Sequence, residues 1–402
     1  VESPTERDSK PARHAIGQFF AHPLASFRII TAIWALLTLL GAVMALSSSA
    51  AAANPAAGTG VYQAFFRHLT FVALGAAAFA LGLRIPFSRM RKAATPALAA
   101  AFVLLLLVLT PLGSDHGGAQ RWLAAGPITL QPVEIAKVAL VFWGAHLLVS
   151  KQKVLHHWRH LLVPLIPVTL ALCALLLAQP NLSGTVTLAL ITLGLLWFAG
   201  APKRLFAAIL AGGVAGIVVL ALFASYRLAR ILSFLSPNPD SSGSGYQAQQ
   251  AQYALADGGW FGVGLGRGAA KWSYLPDVQN DFVFALVGEE LGFAGCLAVL
   301  GLFGCLAVIG LRTAARVSDP WVRLVAGTTT LLLVAQALIN IGYVAGALPV
   351  TGVTLPLVSA GGTSLVVTML QFGILAQAAR EEPAAQTFLA GLEKKGSGTV
   401  RA

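Results

Sequence analysis

The sequence predicts an all-α polytopic membrane protein: ten transmembrane helices with one large extracytoplasmic loop between the seventh and eighth. Composition is the first reason. Of 402 residues, 57% are hydrophobic and 10% charged, and the mean hydropathy is +0.77, far from the balance of a soluble globular domain. The second reason is recurrence. Apolar runs long enough to cross a hydrocarbon core of about 30 Å lie near 28–49, 66–83, 95–112, 133–150, 160–178, 183–201, 204–224, 282–311, 321–346 and 361–379. The third is charge asymmetry. With the N-terminus inside, the tails and the loops near 84–94, 151–160, 202–204 and 312–323 carry most of the 27 lysines and arginines. The opposite loops hold only Arg67, Arg121, Arg227, Arg230, Arg267 and Lys271. Basic residues mark the cytoplasmic side, so both termini are expected there.

Residues 1–25 are polar, basic and rich in Ser and Pro, and are expected to form a disordered cytoplasmic tail. The first apolar run precedes ALSSSAAAANPAAG, which offers small-residue cleavage sites. Its core is too long for a signal peptide and nine further runs follow, so it is read as a retained helix. The ten-helix membrane domain then occupies 26–380 and includes the outer loop at 225–280. Loops of that length are usually functional or disordered. Within it RLARILSFLSP reads as an amphipathic interfacial stretch, and YQAQQAQYALADGG as a short helix stopped by glycines. Residues 381–402 form a second disordered tail. The net charge of +12 is explained by a basic rim facing anionic membrane lipids, and no nucleic-acid partner is expected. Cys173, Cys296 and Cys305 all lie in apolar runs without CxxC spacing, which favours buried thiols over a disulfide or zinc site.

Polar residues collect in three segments: GGAQRWLAAGPITLQPVEIAK (117–137), YQAQQAQYALADGGWFGVGLGRGAAKWSYLPDVQNDFVFALVGEELG (246–292) and LPVTGVTLPLVSAGGTS (348–364). Each leads into an even-numbered helix that begins at the outer face. Segments distant in sequence therefore converge on one surface, at helix starts whose free N–H groups and dipoles favour anions. Gly361 and Gly362 would let a phosphate approach the backbone. Intramembrane charges are costly and usually face a cavity or one another. Glu134 and Lys137, at i and i+3, share a helix face and can pair. Glu289 lies about 12 Å deeper than Asp281 at 1.5 Å per residue, and an ion pair of Glu289 or Glu290 with Lys137 is expected. Asn280 or Asp281 could serve as N-cap of the eighth helix. Capping leaves unexplained the neighbouring Arg267, Lys271, Trp272, Asp277 and Gln279. SKQK (150–153) matches an S-x-x-K pattern by chance at a helix end, and GVGLGRG is no G-x-G-x-x-G fingerprint.

These segments resemble the motifs of a bacterial family, the SEDS proteins (shape, elongation, division and sporulation). GGAQRWLAAGPITLQPVEIAK is similar to its G-x-x-R-W…Q-P-S-E-x-x-K block and YLPDVQNDFVFALVGEELG to its L-P-E-x-x-T-D-F-I-F-x-x-x-x-E-E-L-G block. LPVTGVTLPLVSAGGTSL is similar to its P-x-T-G-x-x-L-P-F-x-S-x-G-G-S-S block. The match runs from about 27 to 380. Val133, Asn280 and Thr363 replace the usual Ser, Thr and Ser, and QPNLSGT departs from the common Q-P-D-x-G. The long polar N-terminal tail and the PITLQP wording resemble the division branch more than the elongation branch.

The resemblance implies a peptidoglycan glycosyltransferase that polymerises lipid II during cell division with a class B penicillin-binding protein and other division proteins. Asp281 matches the family's essential aspartate and is the candidate base for the attacking sugar hydroxyl. Arg121, Lys137 and Lys271 are candidates for the leaving pyrophosphate, and Trp122 for the polyprenyl chain or a sugar face. Glu134, Ser359, Gly361, Gly362 and Thr363 complete the expected substrate site. A divalent cation, Mg2+ or Mn2+, is a candidate ligand of Asp281 because carboxylate and phosphate are both hard oxygen donors. Three alternatives stay open: an elongation polymerase, a lipid II flippase whose head-group path is lined by Glu134, Lys137, Glu289 and Glu290, and a non-catalytic scaffold.

Overall fold

The computed structural model describes residues 22–49, 62–115, 120–125, 128–151, 163–223, 244–271 and 279–398. Its helices are α1 (Ala25–Ser49), α2 (Gln63–Arg84), α3 (Phe87–Val108), α4 (Pro132–Ser150), α5 (Leu165–Ala178), α6 (Leu182–Phe198), α7 (Lys203–Phe223), α8 (Ser244–Asp257), α9 (Val283–Arg316), α10 (Pro320–Val344), α11 (Thr363–Arg380) and α12 (Pro383–Gly398). Among the described residues six helices, α1 to α4, α9 and α10, are long and apolar enough to cross a membrane; α5 and α6 are apolar but shorter. Exposed Leu39, Phe66, Leu81, Val103 and Val308 on these helices suit a hydrocarbon solvent rather than water.

The chain is predominantly helical, but the all-α expectation omitted a small antiparallel sheet: β1 (Gly113–Asp115), β2 (Gln120–Ala125) and β3 (Ile128–Leu130), in the order β1-β2-β3. Ser114 pairs with Trp122, and Ala124 with Thr129. Gln120 Nε2 donates to the Thr110 and Gly113 carbonyls at 2.9 and 3.0 Å, fixing the sheet to the end of α3. Pro132, the first residue of α4, stops the last strand and starts the helix, because it lacks the N–H a ladder needs and has the φ a first helical turn needs.

Helix packing depends on small residues, as expected where lipid gives no hydrophobic drive for association. A Cβ on Gly373 of α11 would lie 2.3 Å from the Phe79 carbonyl of α2, and one on Gly82 would lie 2.9 Å from the Leu370 carbonyl. These two helices therefore touch backbone to backbone.

Helix α9 breaks at Gly292, which has φ 69 and ψ −168. The loop after α8 fills the break: Phe293 and Ala294 donate N–H bonds to the Gly259 and Trp260 carbonyls, while Val263 and Gly264 donate to the Glu289 and Glu290 carbonyls. Backbone groups freed by the break are thus paired within the protein.

Several expectations change. The C-terminal segment expected to be disordered forms α12 through Gly398. The short helix expected in the outer loop is α8, ended by Gly258 and Gly259, whereas RLARILSFLSP and the tail to residue 21 lie outside the described residues. All three cysteines are free as expected, but only Cys173 is buried, Cys296 and Cys305 being half-buried.

Candidate functional site

A cavity of about 570 Å³ lies where α2, α4, α6, α9 and α11 all begin. Of the residues singled out in the sequence, Arg121, Trp122, Glu134, Lys137, Asp281, Gly361 and Gly362 line it. Arg121 and Trp122 come from β2, so the sheet contributes both residues to the cavity lining. Arg121 Nη2 donates to the Pro180 carbonyl at 2.5 Å. Glu134 and Lys137 form a buried ion pair at 2.7 Å within α4, and both face the cavity.

The third wall is held by cross-links between loops. Ala360 N–H donates to the Gln279 carbonyl at 2.9 Å, tying the glycine pair to the segment that carries Asp281. Thr363 Oγ1 donates to the Thr129 carbonyl at 2.6 Å, tying α11 to β3. Ser359 is buried and its hydroxyl accepts from Leu355 N–H at 2.8 Å. Ser359 and Thr363 therefore shape the walls without lining the cavity. Gly362 has φ 47, and a Cβ there would meet the Phe71 ring at 3.6 Å, so a side chain would be strained and would crowd the cavity.

Asp281 does not occupy the N-cap position of α9. Helix α9 begins at Val283, and its N-cap is Phe282, which makes no side-chain cap hydrogen bond. The bulky aromatic pins the entry instead: Phe282 is buried, edge-on to Tyr343 at 5.6 Å. Asp281 sits one residue ahead, with its carboxylate beside Gly352, where a Cβ would lie 3.4 Å from Oδ2.

Lys271 and the paired glutamates are placed elsewhere. Lys271 Nζ lies 3.0 Å from Glu290 Oε1, both side chains being buried, and it also donates to Ser47 Oγ at 3.1 Å. Ser47 Oγ in turn donates to Glu290. Glu289 accepts from the N–H groups of Ala269 and Ala270 at 2.6 and 3.2 Å, and Glu290 from Gly266 at 3.0 Å. The expected pair with Lys137 is replaced by these contacts, because the glycine-rich run folds back over the first turns of α9. Neither glutamate lines the cavity, and neither does Lys271.

Sequence reading missed several lining residues. Arg67 and His68 come from the first turns of α2, Gln336 from α10, and Asn181 from the start of α6. Asn181 Oδ1 caps α6 through Gly184 N–H at 2.9 Å. Asn caps about as well as Asp, which accounts for its tolerance where the common motif has Asp. His68 Nε2 and Asn181 Nδ2 are buried with no hydrogen-bond partner among the described residues, as expected of groups that a polar ligand satisfies. A histidine in a helix whose other residues are mostly apolar was the available signal for His68.

The family model described as cell cycle protein, covering FtsW, RodA and SpoVE, matches residues 27–384. Probable peptidoglycan glycosyltransferase FtsW of Mycobacterium tuberculosis is 44% identical over 396 residues, 98% of this chain and 75% of the relative. Stage V sporulation protein E of Bacillus subtilis is 35% identical over 353 residues, 88% of this chain and 96% of the relative. Among solved structures, a chain from work on the structural coordination of polymerization and crosslinking by a peptidoglycan synthase complex superposes with TM-score 0.73 at 27% identity, covering 88% of this chain and 97% of that one. The rod shape determining protein RodA of Thermus thermophilus superposes with TM-score 0.64 at 27% identity, covering 88% and 96%. With the motif segments, the helical frame and the family model all in agreement, the chain belongs to the FtsW/RodA/SpoVE family of cell cycle proteins.

Proposed function

We propose that the chain is a peptidoglycan glycosyltransferase that polymerises lipid II during cell division. The observation that carries this reading is the cavity, in which the Asp281 carboxylate shares one enclosure with Arg67, Arg121 and Lys137 at five helix starts. Lipid II carries its disaccharide-peptide on a polyprenyl pyrophosphate. Asp281 takes the proton of the acceptor sugar 4-hydroxyl as its oxygen attacks the donor's anomeric carbon, and the bond to the pyrophosphate breaks with its electron pair. Cations and converging helix dipoles stabilise the charge that develops on the leaving group. A pyrophosphate leaves without protonation, so a single carboxylate suffices for the transfer.

The same reading sets the frame. The chain spans the inner membrane ten times, both termini are cytoplasmic and the cavity faces outward, where a lipid-linked sugar awaits polymerisation. A divalent cation belongs to the proposal only in part. Among the described residues no three His, Cys, Asp or Glu side chains gather to hold an ion, so Asp281 would hold it together with phosphate oxygens, the usual way Mg2+ is bound. Such an ion would offset pyrophosphate charge.

The flippase alternative loses support because Glu289 and Glu290 are engaged with loop amides, Ser47 and Lys271 rather than with a path. The relatives named FtsW favour division over elongation. Purified protein in detergent with lipid II should make glycan strands with no second compartment, and a product-free reaction by monodisperse protein would contradict the proposal in favour of the flippase or scaffold readings.

A class B penicillin-binding protein is the proposed partner, docking its single helix on α9 and α10, where Leu300, Val308 and Leu338 are exposed. Tryptophan at all three positions should abolish co-purification. Undiminished co-purification would move the partner to another surface.

A further inference from the structure

We infer that Asn340 and Tyr343, on α10, are positioning residues that hold the Asp281 carboxylate in place through its backbone. This inference rests on the reading of Asp281 as the base. The two side chains are fully buried and stand at i and i+3 on one face of α10. Asn340 Nδ2 lies 2.8 Å from the Asp281 carbonyl, 2.7 Å from the Val353 carbonyl and 2.7 Å from Tyr343 Oη. Tyr343 Oη lies 2.7 Å from the Asp281 carbonyl and 2.8 Å from that of Val353.

Every donor of this knot has an acceptor, while Asn340 Oδ1 is buried with no hydrogen-bond partner among the described residues. The amide supplies two N–H groups and the phenol one O–H, and the acceptors are the two carbonyls and the phenol oxygen. Three protons meet three acceptors. The Asn340 amide is turned so that Nδ2 faces the two carbonyls, since Oδ1 in its place would set acceptor against acceptor.

The knot joins the two chain segments that frame the candidate base. One carbonyl belongs to Asp281 itself. The other belongs to Val353, next to Gly352, whose missing side chain leaves room beside Asp281 Oδ2. Both segments are irregular backbone ahead of helices, without ladder or helix bonds of their own to fix them. A helix anchored on both sides by packing, such as α10, is the rigid element against which they can be set. Fixing the peptide of Asp281 fixes the origin of a short side chain with two torsions, on a residue that lines the cavity.

The donors are partly redundant, which gives the test its form. Tyr343→Phe keeps the ring against Phe282 and leaves two N–H groups for two carbonyls, so kcat for glycan synthesis from lipid II should fall on the order of threefold to tenfold. Asn340→Leu with Tyr343→Phe removes every donor and should lower kcat about 100-fold or more, since a misplacement near 1 Å can cost that much. The apparent KM should stay within about twofold, because substrate contacts are untouched. A double variant whose folded fraction turns over at the wild-type rate, or that loses only KM, overturns the inference. If the double variant does not fold, wild-type kcat in both single variants overturns it equally. Asp281→Asn separates the two levels: an active Asp281→Asn protein sinks the reading of the base, whereas an inactive one beside a fully active double variant sinks only the positioning role.

Discussion

Lys137 and Glu134 show why a single substitution at a charged pair misleads. The pair is nearly dry, at 4% and 9% side-chain exposure, so removing one partner strands the other, at a cost on the order of 3 to 5 kcal/mol for fully buried pairs. Lys137→Met alone should therefore lose both polymerisation and thermal stability. Glu134→Gln with Lys137→Met removes both charges and should recover most of the stability. If Lys137 acts on the pyrophosphate, the double variant melts near wild type and still makes little glycan. Recovery of polymerisation together with stability would make the lysine a fold element only. The i, i+3 spacing made this pair legible from the sequence, and the structure adds that it faces the same cavity as Asp281. His68 carried a sequence signal as a histidine in an apolar helix, but its significance, like that of Asn181, lies in an orphaned Nε2 and Nδ2 that only three-dimensional neighbours reveal.

Helix α9 and the loop before it explain the carboxylates that follow Asp281 so closely. Asp281 faces the cavity. Glu289 and Glu290 are buried posts on which the segment from Gly258 to Lys271 hangs, Glu289 through amides and Glu290 through Gly266, Ser47 and Lys271. Gly266, Ala269 and Ala270 supply the N–H groups, and Gly268 lets the run approach closely, since a Cβ there would lie 2.5 Å from Glu289 Oε2. Glu290→Gln should lower the melting temperature, because Lys271 is left buried without its counter-charge. Adding Lys271→Met should recover part of that loss, and a Glu290→Gln protein as stable as wild type would show that the post carries no weight. Composition located these glutamates within an apolar helix but could not name their partner. Lys271, not Lys137, fills that role because the chain reverses at glycines whose path has no periodic signature. The sheet was illegible for a related reason: strands of three and six residues flanked by glycines present too few alternations to register as β pattern.

The architecture as a whole was legible where apolar length decides it. The runs at 28–49, 321–346 and 361–379 differ from α1, α10 and α11 by a few residues at each end. Convergence of three polar segments on one end of the bundle also followed from helix alternation, and the cavity lies there. What alternation cannot give is which side chains cross the gap, since that depends on tilt, on kinks such as Gly292 and on close contacts such as Gly373 with α2. The central claim is that this convergence exists to put one carboxylate beside a cationic pyrophosphate site. Asp281→Asn tests it most directly: the side chain keeps its size, the Asp281 carbonyl keeps its bonds to Asn340 and Tyr343, and the N-cap residue of α9, Phe282, is unchanged. Polymerisation of lipid II by the purified variant, checked for monodispersity and partner binding, is the measurement. The account predicts intact protein, retained partner and no glycan strands; strands made at close to the wild-type rate would contradict it.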